Sequence, residues 1–259
     1  MPNLVGVPAE QLAGTAFNAK PRPLHIAGAR EGHGGLFALL ERCGSAHEAA
    51  ETFAHYMTVA FGLGRGAATD GPRRFRPSYL KLLQGWGLDA NGPAGAVLKG
   101  FVESRFGIAP GFHKAPLARF PSPAWVAYLE EKGSSRHQAN HVHQQLDLLY
   151  EFCQWTLARF ALLGPGPHVR LWRGSTRCEE QLIRGSLRER HAVLRLNNLV
   201  SFSLSGEQAG CFGDWVMCAR VPLAKVLFAP GVLNTQVLQG EGEVLALGGD
   251  YEVDIRYDP

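Results

Sequence analysis

Apolar and polar positions change their period partway along the chain, near residue 165. Before that point apolar side chains recur at helical spacing. "GGLFALLERCG" reads as a short helix, and Ser45 followed by Glu48 is a capping-box signature that opens a helix running to about Phe61. Residues 62–77 are rich in Gly, Arg and Pro and read as loop. "PSYLKLLQGWG" and "NGPAGAVLKGFVESRFG" predict two more helices, and "FPSPAWVAYLEEKG" another, with a proline in its first turn. The longest pattern is "SSRHQANHVHQQLDLLYEFCQWTLARFALLG", in which Val142, Leu146, Leu149, Phe152, Thr156, Phe160 and Leu163 keep the helical period. "GPGPH" at 164–168 ends it.

After that the pattern is that of strands. "HVRLWRGS", "LVSFSLS", "DWVMCARVPL", "KVLFAP", "EVLALGG" and "YEVDIRYD" are short, alternating or apolar, and separated by Gly, Pro or Asn. In the last, Tyr251, Val253, Ile255 and Tyr257 share one face and Glu252, Asp254 and Arg256 the other. The expected class is α+β: a helical N-terminal layer, residues 1–163, packed on a mainly antiparallel sheet system, residues 168–259. The two parts read either as separate units meeting at 164–168 or as one continuous domain.

Composition narrows the function classes. At 259 residues, with 46% hydrophobic and 19% charged positions, the chain can bury a sizeable core. A net charge of +3 gives no electrostatic case for nucleic acid or an anionic membrane as the main partner. Basic residues bunch at Arg73, Arg74 and Arg76 and at Arg184, Arg188 and Arg190, and both clusters read as solvated surface. The five cysteines (43, 153, 178, 211 and 218) are scattered, with no C-x-x-C, which favours free thiols in a reducing, cytoplasmic compartment. The N-terminus lacks a basic region followed by a long apolar core, so no signal peptide is expected. No apolar run approaches the length of a membrane span.

Three stretches carry candidate chemistry. Glu241 and Glu243 stand two apart at the entry to "EVLALGG", so on a strand both carboxylates would face one cleft. Paired carboxylates suit chemistry that passes through an oxocarbenium ion, and equally suit a solvated strand entry. Arg173 ends an alternating strand beside Gly174, which permits close backbone approach, and a guanidinium there can grip a phosphate or simply mark an edge. Ser201 and Ser203 share a strand face, where their hydroxyls can orient a carboxylate or a sugar hydroxyl.

Taken in this order, Trp172-Arg173, Ser201-Phe202-Ser203 and Glu241-Gly242-Glu243-Val244-Leu245 resemble the mono-ADP-ribosyltransferases of the Arg-Ser-Glu class. Phe202 replaces the middle Thr of the usual Ser-Thr-Ser. "ARVPLAKVLFAP" is similar to the paired strands of that class around a Val-Pro step. The whole chain, including "NHVHQQLDLLYEF", resembles the NAD-dependent dinitrogenase reductase ADP-ribosyltransferases of nitrogen-fixing bacteria.

The resemblance implies a catalytic core of the ADP-ribosyltransferase type, a mixed, mainly antiparallel β-sandwich. It implies NAD as co-substrate, no metal, and an arginine of dinitrogenase reductase, the nitrogenase iron protein, as acceptor. In the roles it assigns, Glu243 holds the nicotinamide ribose, Ser201 positions Glu243, and Arg173 holds the phosphates. Glu241 orients the acceptor arginine, a role for which asparagine modifiers tend to carry Gln. Gly174, Ser203 and Phe212 complete the expected dinucleotide site, although Phe212 reads equally as core. Asn234, Thr235, Val237 and Leu238 become candidates for recognising the protein substrate, and a PII-type signalling protein becomes a candidate regulator. Other readings are a transferase or NAD glycohydrolase with another acceptor, and a catalytically silent partner-binding module.

His137 and His141, four apart with His143 following, could share a helical face toward zinc, but no third ligand is indicated. Asn140 and His141 could instead line the NAD cleft. No G-x-G-x-x-G follows a strand, "GLGRGAATDG" lacks the ending of a P-loop, and "SLSGEQAG" is no hydrolase elbow.

Overall fold

Serines start three of the longer helices, because a serine hydroxyl accepts one of the amide protons that a first turn leaves unpaired. The structure, a computed structural model, describes residues 3–63, 77–136, 140–235, 238 and 242–257 (of residue 140, the backbone alone). Four short helices, α1 (Ala9–Ala13), α2 (Thr15–Ala19), α3 (Ala29–Gly32) and α4 (Gly34–Leu40), precede α5 (Ala46–Ala60). Ser45 caps α5 by accepting from the Glu48 amide, while Glu48 reaches back to the Gly44 amide, one residue further than a standard capping box. Ser78 caps α6 (Tyr79–Leu88), Pro93 opens α7 (Pro93–Phe106), and left-handed Gly107 closes it. A small hairpin, β1 (Phe112–His113) and β2 (Ala115–Pro116), leads to α8 (Pro123–Ser134), capped by Ser122, and then to α9 (Asn140–Phe160). Among the described residues no helix is long and apolar enough to cross a membrane.

The helix α9 does more than lay one face on the core. Beyond the residues its periodicity marks, Leu148, Tyr150, Glu151, Cys153 and Leu157 are buried as well, so the helix passes through the interior. Its polar side chains make the join to the sheet. Gln154 Nε2 donates to the carbonyls of Leu223 and Val226 at 2.9 and 2.7 Å, and the Tyr150 hydroxyl to Ala224 O at 2.7 Å. Buried Glu151 accepts from the Ile26 amide and from Arg30.

The second half forms β3 (His168–Ser175), β4 (Leu182–Ser186), β5 (His191–Ser203), the short helix α10 (Gly206–Gly210), β6 (Trp215–Pro222), β7 (Val226–Phe228) and β8 (Glu243–Tyr257). All pairings among the described strands are antiparallel. β3 pairs with β6, β6 with β8 and β8 with β5, and β5 returns to β3 at Trp172–Ser203, which closes a ring of four strands. Buried apolar residues of the helical layer, such as Phe53, Leu83 and Phe101, join those of the sheet, such as Leu194, Leu245 and Val253, in one cluster.

The stretches "EVLALGG" and "YEVDIRYD" are one strand rather than two. Gly248-Gly249 does not end β8; it accommodates a bulge in β5, whose register shifts between Leu196 and Leu199. A Cβ on Gly248 would lie 1.5 Å from the Asn197 carbonyl oxygen, while Asn198 turns inward to the carbonyls of Lys99 and Ile108. Gly248→Ala is therefore expected to destabilise the chain by about 1–3 kcal/mol. A melting midpoint several degrees lower would bear this out, and an unchanged midpoint would not.

Candidate active site

The site is built where β3, β5 and β8 converge under α6. Ser201 lies on β5 opposite Leu245, two positions from the Ser203–Glu243 pair, so Ser201 and the first residue of β8 come side by side. Ser201 Oγ donates to Glu243 Oε1 in a short hydrogen bond. From β3, Arg173 Nη1 donates to the Ser201 carbonyl at 2.8 Å. Burial lowers the proton affinity of this guanidinium and the nearby Glu243 carboxylate opposes the shift; an arginine guanidinium stays a cation at working pH. Its Nε is buried and has no hydrogen-bond partner. A buried unpaired donor of this kind is costly until an acceptor fills it.

A side chain that the sequence did not single out completes the floor. Trp86 of α6, 4% exposed, directs its indole N–H at Ser201 Oγ (2.8 Å) and at Glu243 Oε1 (3.1 Å). The cavity above, about 360 Å³, is lined by Trp86, Trp172, Arg173, Ser201, Phe212 and Glu243, among others. A second lobe of about 720 Å³ shares Trp86, Ala90, Arg173 and Ser201 with the first. Its walls carry Lys99, Lys114, Arg177 and Arg195 against one carboxylate, Glu180, so it is basic on balance, although Lys114, Arg177 and Arg195 are ion-paired. Lys99 is almost fully buried. Its Nζ donates to Asn91 Oδ1 at 2.9 Å and faces His113 Nδ1 at 3.3 Å, while His113 Nε2 meets Glu131 at 2.9 Å. Burial brings the Lys99 pKa down to about 8, against the pull of Asp89 and Glu131.

The other expected site residues divide. Phe212 is 56% exposed and lines the smaller lobe, so it is not core. Gly174 lines the smaller lobe too, and it also permits a close approach of protein: a Cβ there would lie 2.0 Å from the Ala209 carbonyl of α10. Ser203 also lines the lobe, and its hydroxyl accepts from the Ser205 amide and donates to Gln208 Oε1, which holds the turn into α10. Glu241 lies outside the described residues. Gly242, the residue before β8, has a left-handed φ of 57°.

In the loop before β8, Asn234 Nδ2 donates to His47 O at 2.9 Å, and Leu238 packs against Gly87 of α6. Val237 lies outside the described residues. His141 does not line the cleft. It sits in a separate pocket with Gly28, His33, Phe61 and Asp147, because its turn of α9 faces α3 rather than the sheet. His143 is held well below its usual pKa, at about 4, first by burial and then by Arg105 and Lys132. His137 and the side chain of Asn140 lie outside the described residues, as do Arg73, Arg74 and Arg76. Arg184, Arg188 and Arg190 are exposed, as a solvated cluster should be. Among the described residues no three His, Cys, Asp or Glu side chains gather as metal ligands.

The profile of the family described as dinitrogenase reductase ADP-ribosyltransferase (DRAT) matches residues 2–255. The NAD(+)--dinitrogen-reductase ADP-D-ribosyltransferase of Rhodospirillum rubrum is 46% identical over 264 residues, covering 98% of this chain and 94% of the relative. No solved structure matches. The chain belongs to the dinitrogenase reductase ADP-ribosyltransferase family.

Proposed function

We infer that this chain transfers ADP-ribose from NAD to an arginine side chain of dinitrogenase reductase, releasing nicotinamide and inactivating nitrogenase. The observation that carries the reading, beside family membership, is the Ser201–Glu243 hydrogen bond at the floor of a cleft bordered by Arg173. Cleavage of the nicotinamide–ribose bond builds positive charge on the sugar. A fixed carboxylate beneath that sugar stabilises the transition state more than the ground state. Glu243 takes this role, with Ser201 holding it. The nicotinamide lies in the smaller lobe against Phe212. The diphosphate lies at Arg173, which lines both lobes and whose Nε awaits an acceptor, and the adenosine extends into the basic lobe. Glu241 orients the incoming arginine. A cytoplasmic setting suits the free cysteines.

Lys99 then serves the diphosphate where the two lobes meet, since its buried ammonium stands 6.0 Å from the centroid of the Trp86 ring, which lines both. Lys99→Met is expected to raise KM for NAD about tenfold, with kcat changed less than about threefold. The pH dependence follows from its pKa of about 8. Below that value the ammonium attracts the diphosphate; above it the neutral amine does not. KM for NAD should therefore rise between about pH 7 and about pH 9 in the wild type, more steeply than in Lys99→Met.

The reading is tested by following nicotinamide release from NAD with and without purified dinitrogenase reductase. Release that is stimulated by the iron protein and matched by label on it supports transfer. Release at the same rate without acceptor, and no label, would make the chain an NAD glycohydrolase.

A further inference from the structure

From the helical layer, Trp86 reaches both members of the Ser201–Glu243 pair, and the local backbone is shaped to bring it there. A Cβ on Gly85 would lie 2.5 Å from Ala94 Cβ of α7, and one on Gly87 would lie 2.6 Å from Leu238 Cδ2. The two glycines flanking Trp86 thus let α6 press against α7 on one side and against the loop before β8 on the other. The indole N–H is a donor only, with no rotor, so it fixes the direction in which its acceptors must face. Those acceptors are Ser201 Oγ and Glu243 Oε1. The Ser–Glu hydrogen bond directs the hydroxyl proton at the carboxylate, and the indole adds a rigid second donor to both oxygens, so the pair is held from two directions.

We propose that Trp86 is a positioning residue for the transfer reaction: its indole N–H holds the Ser201 hydroxyl and the Glu243 carboxylate in the orientation that meets the ribose. This rests on the assignment of Glu243 to the sugar cation given above. It makes the helical layer part of the active site rather than only a support for it. The contribution falls on the chemical step, because Trp86 orders a group that acts most strongly on the transition state.

The test compares Trp86→Phe and Glu243→Gln with the wild type in steady-state transfer to dinitrogenase reductase. Trp86→Phe keeps an aromatic ring and loses the donor. It should lower kcat about tenfold while KM for NAD changes less than about twofold, because misoriented catalytic groups cost rate rather than binding. Unchanged kcat in a chain that melts like the wild type overturns the proposal. So does tighter NAD binding with faster transfer, which would make Trp86 an obstruction in the cleft. A second measurement needs no change at position 86. Of the five tryptophan indole N–H resonances in a ¹⁵N-labelled chain, one should move on Glu243→Gln while the others stay; if none moves, the contact is absent. The two readings fail separately. A Glu243→Gln chain that transfers at full rate removes the assignment of Glu243 and this proposal with it. An inactive Glu243→Gln beside an unimpaired Trp86→Phe removes the role of Trp86 alone.

Discussion

Glu243→Gln is expected to lower ADP-ribosyl transfer by about a thousandfold while leaving the fold intact, a loss typical of removing one preorganised electrostatic group. The substitution separates charge from shape. Glu243 Oε1 accepts from the Ser201 hydroxyl and the Trp86 indole, and a glutamine amide oxygen can accept from both, though more weakly. Val244 to Leu247 behind it are buried and keep their register with β5 and β7. What disappears is the negative charge under the developing oxocarbenium ion. A thousandfold corresponds to about 4 kcal/mol of transition-state stabilisation, which a single fixed charge in a partly dry cleft can supply. Incorporation of labelled ADP-ribose into dinitrogenase reductase, with a melting curve as control, reads the effect. A loss below about tenfold in a folded chain would place the chemistry elsewhere.

Glu241→Gln should divide the reaction in two. Arginine is protonated at working pH and a poor nucleophile, so its attack needs a carboxylate that orients it and takes a proton as the bond forms. Transfer to dinitrogenase reductase is expected to fall by about a hundredfold or more, within the range of general-base losses. Nicotinamide release to water should persist at a rate close to that of the wild type without acceptor, because Glu243, Ser201 and Arg173 are untouched. The two rates are measured in the same preparation. If both fall together, Glu241 acts on the sugar cation and not on the acceptor.

The Arg, Ser and Glu of the candidate site could be read in the sequence because each sits in a short strand with its own local signature. The arginine closes an alternating run before Gly174, the serines alternate with Phe202, and the glutamate opens an apolar run. The helices were legible where a cap or a first-turn proline precedes a periodic stretch, as at Ser45 and Pro123. The failures have a different origin. Gly248-Gly249 has the composition of a turn, and only the facing bulge at Asn197-Asn198, some fifty positions away, explains why β8 runs through it. Gly174 announces a close approach without saying whether ligand or α10 makes it. Trp86 and Lys99 sit inside helical stretches with little local to mark them, since partners that give them a role, Ser201 and Glu243 for Trp86 and His113 for Lys99, are set by the fold. One local trace existed. Two glycines flanking a tryptophan inside a helix cost about 1 kcal/mol each relative to alanine, and such a cost points to close packing that offsets it.

Two halves of the chain thus meet at one cleft. The sheet supplies Arg173, Ser201 and Glu243, and α6 and α7 supply Trp86 and Lys99. The loop before β8 touches α5 through Asn234 and α6 through Leu238, so the approach to the site is bounded by both halves. The most direct test of the central claim is mass spectrometry of dinitrogenase reductase after incubation with this protein and NAD. The account predicts one added ADP-ribosyl group, carried on an arginine side chain, with no addition when NAD is withheld or when Glu243→Gln replaces the wild type. Unmodified dinitrogenase reductase in the presence of active protein and NAD, or a group carried on a residue other than arginine, would contradict it.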